Sequence, residues 1–129
     1  MKTKQDYIKY KLERADKSLK AAEILLKNNF PPDALGRIYY AAFYAISALL
    51  IERNLNPKTH KGVKALFHKG FVFTKQFDES FANLFDILFA KRFEVDYEDF
   101  PFIDEKSIPF QLEKTKRMNR FYQKKFTNK

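Results

Sequence analysis

The sequence predicts an all-α fold, an up-and-down antiparallel bundle of four long helices plus one short helix. Three observations lead there. Apolar residues recur at alternating steps of three and four along most of the chain, the spacing of helices that each bury one stripe. Among 129 residues there are 15 Phe but only 3 Gly, a composition that supplies core bulk and few backbone breaks. No segment shows the strict apolar–polar alternation of a half-buried strand. The periodicity is continuous, so residues 1–129 are expected to form a single domain.

Helix one is expected over about residues 3 to 28, where Ile8, Leu12, Ala15, Leu19, Ala22 and Leu26 form one stripe. Asn28-Asn29-Phe30-Pro31-Pro32 breaks it, and Pro-Pro-Asp suits a new helix start because proline is tolerated in a first turn. That second helix runs to about Arg53, where Asn54-Leu55-Asn56-Pro57 ends it. Thr59 is placed to cap a short third helix reaching Lys69 or Gly70. Phe77, Phe81, Leu84, Leu88 and Val95, with Phe85 and Phe89 beside them, give a fourth helix from about Asp78 to Val95. The stretch from Tyr97 to Pro101 reads as a loop. Asp104 then caps a fifth helix that starts near Ser107, so that Pro109 falls early, and that carries Ile108, Leu112, Thr115, Asn119, Tyr122 and Phe126 on one side.

Composition excludes several chemistries. Zero cysteines rule out disulfides, thiolate metal sites and cysteine nucleophiles. His60 and His68 are the only histidines, and no His, Asp or Glu cluster has zinc or di-iron spacing. No metal or cofactor is expected. The residues from Met1 to Lys11 never develop the apolar core of a signal peptide. The longest apolar run, Ala41 to Ile51, is shorter than the roughly 20 residues of a membrane span. The expectation is a cytoplasmic chain with no membrane partner. Twenty-five basic against 16 acidic residues leave a formal charge of +9, and the distribution is uneven. Lys58 to Lys75 holds five lysines and no carboxylate, and the tail after Glu113 holds seven basic residues and no acidic one. Such a surface attracts phosphates, although a solvated lysine-rich face would look the same.

Three segments carry the functional signal. Arg37-Ile-Tyr-Tyr-Ala-Ala-Phe-Tyr44 sets four aromatics and one arginine in two helical turns. Arg37, Tyr40 and Tyr44 share one face there, and Tyr39, Ala42, Phe43 and Ile46 turn the other way. Lys58-Thr59-His60-Lys61-Gly62 follows that helix, and Arg92-Phe93-Glu94-Val95-Asp96-Tyr97 closes the Phe-rich one. In this order the three segments resemble the HEPN family of small prokaryotic helical proteins, from about the first helix to Asp99. The resemblance implies a companion of a minimal nucleotidyltransferase or a member of a toxin–antitoxin pair, often concerned with RNA. A homodimer is expected on other grounds, because the helices carry more apolar and aromatic stripe than four of them need to bury. In many HEPN proteins an arginine is followed several residues later by a histidine. That pattern implies metal-independent RNA cleavage, with histidine handling protons and arginine stabilising the phosphorane charge. Here Asp96 stands where the histidine would be.

Three functions therefore remain open: a homodimeric HEPN-like interaction module with RNA or nucleotide contact, a metal-independent ribonuclease at a dimer cleft, or a nucleotide or RNA binder without chemistry. In the second, Arg92, Asp96 and Tyr97 are the catalytic candidates. Arg92 and Asp96, four apart, read equally as an ion pair that locks the fold. Lys58, His60 and Lys61 at a helix start are candidates for holding a phosphate, by charge and by free backbone N–H groups. Arg37 with Tyr40 and Tyr44 reads as a stacking surface for bases or as core. If buried, Arg37 needs a carboxylate, and Asp96 or Glu94 is the expected partner. One geometric expectation unites these residues: the Tyr-rich second helix lies against the Phe-rich fourth, so that Arg37 and the Arg92/Asp96 pair converge.

Overall fold

A computed structural model of the chain describes residues 1–72, 79–97 and 104–127. Its long helices are α1 (Lys4–Lys27), α2 (Pro31–Glu52), α4 (Glu79–Tyr97) and α5 (Ile108–Thr127), with the short α3 (His60–Phe67) between α2 and α4. The described residues contain no strand, and the architecture is the expected all-α bundle.

Local chemistry sets the ends. Thr3 and Asp6 form a reciprocal capping box on α1: Thr3 Oγ1 accepts from the Asp6 amide at 3.1 Å, and the Thr3 amide donates to Asp6 Oδ2 at 2.9 Å. Asn29 and Asn54 turn the chain out of α1 and α2 at φ 66° and 64°, a left-handed conformation that asparagine tolerates better than most residues. Pro31 and Pro32 open α2, where a missing N–H costs nothing. Asp104 accepts from the Lys106 amide and starts a 3-10 turn, Glu105–Ser107, that leads into α5 with Pro109 in its first turn.

The central rod is α2, which touches all four other helices. Ile38, Tyr39, Ile46 and Leu50 are fully buried along it, and Ala41, Ala42, Ala45 and Ala48 let its neighbours approach closely. By length and composition, all 22 residues of α2 together would suffice to cross a membrane, although the apolar run within it is shorter; most of the helix is instead buried against its neighbours. The α5 stripe is as expected: Ile108, Leu112, Thr115, Asn119 and Tyr122 are buried, and Asn119 Nδ2 donates to the Ala41 carbonyl at 3.2 Å, pinning α5 to α2. On α4, Leu84, Phe85 and Leu88 are buried, and Phe81 and Phe89 pack against the core.

Two boundaries differ from expectation. Tyr97 is the last residue of α4 rather than the first of a loop. Beyond Phe67 the helical path does not stop near Gly70 but continues as π-helical turns over His68–Val72. The expected start at Asp78, the loop beyond Tyr97 and the side chains of Phe77, Val95 and Phe126 lie outside the described residues.

Candidate functional site

The site is assembled by α2, α3 and α4. Thr59 caps α3, its Oγ1 accepting from the Gly62 amide at 2.9 Å. Gly62 allows this tight turn: a Cβ there would stand 3.0 Å from Thr59 Oγ1 and 3.1 Å from Pro57 Cβ. The cap makes His60 the first residue of α3 and turns its ring onto α2. There it stacks on Phe43, centroids 4.4 Å apart and planes 18° apart, and brings Nδ1 within 2.6 Å of the Tyr39 hydroxyl. Tyr39 is itself buried and stacked on Phe85 of α4, centroids 5.8 Å apart.

Arg92 reaches across from α4. Its Nη2 donates to the Tyr40 hydroxyl at 2.7 Å, and its guanidinium lies 4.7 Å from the Tyr40 ring centre and 5.3 Å from that of Tyr39. It lines two clefts. A histidine cleft of about 400 Å³ is lined by His60, Lys61, Arg92, Phe93 and Tyr97, among others. An arginine cleft of about 440 Å³ is lined by Asp33, Gly36, Arg37, Tyr40 and Arg92, among others.

Burial, and then the nearby Arg92 charge, hold the His60 pKa below the ordinary imidazole value. Burial pushes the Tyr39 hydroxyl well above the usual phenol range, so it stays protonated. A neutral His60 can meet Tyr39 in two ways. With the proton on Nδ1, the ring donates to the Tyr39 oxygen and Nε2 is a free base. With the proton on Nε2, Tyr39 donates to Nδ1. A neutral imidazole, a guanidinium held on aromatic rings and the Lys61 ammonium beside them form a cationic recess suited to a phosphate ester.

The profile of the HEPN domain matches residues 8–125 of this sequence. The chain belongs to the HEPN domain family. Among curated HEPN relatives, it is 45% identical over 67 residues to Putative toxin MJ0142 of Methanocaldococcus jannaschii, covering 52% of this chain and 46% of that protein. Putative toxin MJ0605 of the same organism is 41% identical over 73 residues, 57% of this chain and 54% of that protein. A UPF0332 protein of Thermotoga maritima is 45% identical over 74 residues, 57% of this chain and 56% of that one. The chain spans about half the length of the curated relatives it matches.

Within this HEPN bundle, Arg37 and Arg92 do line one cleft, as the expected packing of α2 on α4 requires. Arg37 is nevertheless exposed rather than core, because α2 presents its first turns to solvent on that side. It has no need of the expected buried carboxylate, and Glu94 instead pairs with Lys91 at 3.6 Å. Asp96 belongs to the last turn of α4, and its side chain lies outside the described residues. Tyr97 is 72% exposed, its ring centre 4.8 Å from that of Phe93 at the mouth of the histidine cleft. Lys58 is exposed on the approach to Thr59, and Lys61 lines the histidine cleft.

What the sequence reading missed is that His60 joins Arg92, and that Tyr39 holds it. A further polar pair lies along the same α3–α4 seam, where His68 Nε2 is 2.8 Å from Asp86 Oδ1 and Lys64 is 3.9 Å from that same oxygen. The available signal was spacing. Lys61 and Lys64 on α3 with His68 just past its end, and Asp86, Phe89 and Arg92 on α4, recur at the steps of three and four that put each set on one helix face.

Proposed function

We propose that this HEPN domain works as a toxin-type module that engages RNA, holding a backbone phosphodiester in the histidine cleft. One observation carries this reading. Arg92 and His60, remote in sequence, enter one recess in which the arginine is braced by Tyr40 and the histidine by Tyr39 and Phe43. The toxin names of two relatives support the cellular role. The test is fluorescence anisotropy with single-stranded RNA in EDTA. Wild type binds, more weakly as salt rises, and Arg92→Ala binds poorly at every salt concentration. Equal binding by the folded Arg92→Ala protein would dismiss the cleft.

A second reading, metal-independent cleavage, is favoured by the neutral state of His60. In the tautomer that leaves Nε2 free, His60 accepts the ribose 2′-hydroxyl proton, the 2′-oxygen bonds to phosphorus, and the bond to the 5′-oxygen breaks. The imidazolium so formed, or water, then gives a proton to that leaving oxygen, yielding a cyclic phosphate and a 5′-hydroxyl. Arg92 stabilises the added negative charge on the phosphorane oxygens. Gel analysis of the same EDTA incubations separates the readings. Cleavage lost in both His60→Ala and Arg92→Ala supports the enzyme, and intact RNA with clean wild type leaves the binding module.

This reading also takes the module to be a homodimer, with an antitoxin or nucleotidyltransferase as its protein partner. Its support is apolar surface left uncovered on α4 and α5: Ile87 is 49% exposed, Phe93 57% and Phe110 72%. Light scattering that gives a monomer mass at micromolar concentration would refute the dimer.

A further inference from the structure

The arginine cleft has a chemistry different from that of the histidine cleft. Among the described residues, its charged lining is Arg37 and Arg92 against one carboxylate, Asp33, with no histidine. Asp33 and Arg37 are four apart in the first turns of α2, so their side chains stand on one face, and both are exposed. Gly36 lies between them on the cleft wall, and a Cβ built there would meet nothing within 4 Å. The space above this glycine is open, and Tyr40 and Pro32 contribute to its sides. At about 440 Å³ the cleft falls within the roughly 300–1,000 Å³ of small-molecule sites. Arg92 lines both clefts, so a ligand whose phosphate rests on Arg92 can place an adjoining group in this recess.

We infer that the arginine cleft is a nucleobase subsite, in which Asp33 selects bases that carry an amino group over uracil. The inference rests on the reading that Arg92 holds an RNA phosphate. A carboxylate only accepts hydrogen bonds. Cytosine, adenine and guanine offer it an amino group, and aspartate accepting from cytosine N4 is an established pairing. Uracil offers a single N–H set between two carbonyl oxygens, each of which faces the carboxylate unfavourably. Arg37, at the open side of the cleft, takes the next backbone phosphate or a base carbonyl. Asp33 is thus the specificity residue, Gly36 provides the room and Arg92 the anchor.

The test compares oligocytidine and oligouridine of equal length and charge, binding to the full chain in EDTA. Wild type binds oligocytidine roughly tenfold tighter, the discrimination expected of one well-placed side-chain-to-base contact. Asp33→Asn, whose amide both donates and accepts, brings the two affinities close to parity. Gly36→Leu fills the recess from its wall and removes the preference by a route that leaves Asp33 in place. Arg92→Ala weakens both oligonucleotides together. Equal wild-type affinities, or a preference retained in both the Asp33→Asn and Gly36→Leu proteins with helical circular dichroism unchanged, overturn the base subsite and leave the phosphate cleft standing. Unchanged affinities in Arg92→Ala overturn the phosphate cleft, and the base subsite falls with it.

Discussion

The hydroxyl of Tyr39 and Nδ1 of His60 lie 2.6 Å apart, and that contact connects the core of the bundle to its candidate site. The Tyr39 ring is stacked on Phe85, which is fully buried in α4. The His60 ring is stacked on Phe43 of α2. The histidine is therefore positioned by residues whose own rotamers are fixed by packing, and pre-organisation of this kind is what a site needs in order to act on a ligand without first rearranging.

Removing the Tyr39 hydroxyl isolates this effect. Tyr39→Phe keeps the ring on Phe85 and loses one hydrogen bond, so urea unfolding should show a loss of about 1 kcal/mol. RNA affinity or cleavage should fall by more than that loss explains, because His60 is no longer held at Nδ1. A variant as active as wild type would show that the hydroxyl does not orient the histidine.

The pH dependence follows from the direction of the His60 shift. Burial and the Arg92 charge lower its folded pKa, so the unfolded chain, with an ordinary value of about 6.5, takes up the proton first as pH falls. The stability contributed by the neutral ring is complete above the unfolded value and is lost as pH falls through the lower folded one. Arg92→Ala removes one of the two causes, and an NMR titration should show the His60 pKa moving up toward the ordinary value. A wild-type imidazole that titrates above the ordinary value would contradict this account.

Much of the fold was legible because periodicity records which face of a helix is apolar. The stripe from Ile8 to Leu26, the buried run from Ile108 to Tyr122 and the caps at Thr59 and Asp104 all follow from it and from elementary capping chemistry. Periodicity does not record which helix covers a face, and the site depends on that. Arg37 reads as core or as a stacking surface because its helix is so apolar, and the first turns of α2 lie open on that side, which removes the core alternative. Helical spacing places Tyr39 and Tyr40 on opposite sides of α2. Adjacent residues on a helix diverge by about 100°, and Arg92 sits between the two rings, within 5.3 Å of both. His60 of α3, far from Arg92 in sequence, lines the same cleft.

Salt dependence tests the phosphate role of Arg92 separately from its packing role. Each phosphate contact on a single strand adds about 0.7 to the slope of log affinity against log salt. Arg92→Ala should lower that slope by about this amount, whereas a substitution that only loosens the cleft would reduce affinity and leave the slope unchanged.

The turn that presents His60 yields a prediction that runs against ordinary helix propensity. Alanine at an exposed helical glycine normally gains about 1 kcal/mol. At Gly62 the added Cβ would press on Thr59 Oγ1 at 3.0 Å and Pro57 Cβ at 3.1 Å, and Thr59 Oγ1 cannot retreat without leaving the Gly62 amide that it caps at 2.9 Å. Gly62→Ala should therefore forfeit the gain. Thr59→Ala should cost about 1 kcal/mol through loss of the cap. In the double variant the threonine oxygen is absent, one of the two close contacts is relieved, and part of the helix gain returns. The two effects should then sum to less than their separate costs, as expected of residues in contact. Urea midpoints for the four proteins of this cycle measure the coupling, and strict additivity would show that Gly62 does not make room for the cap.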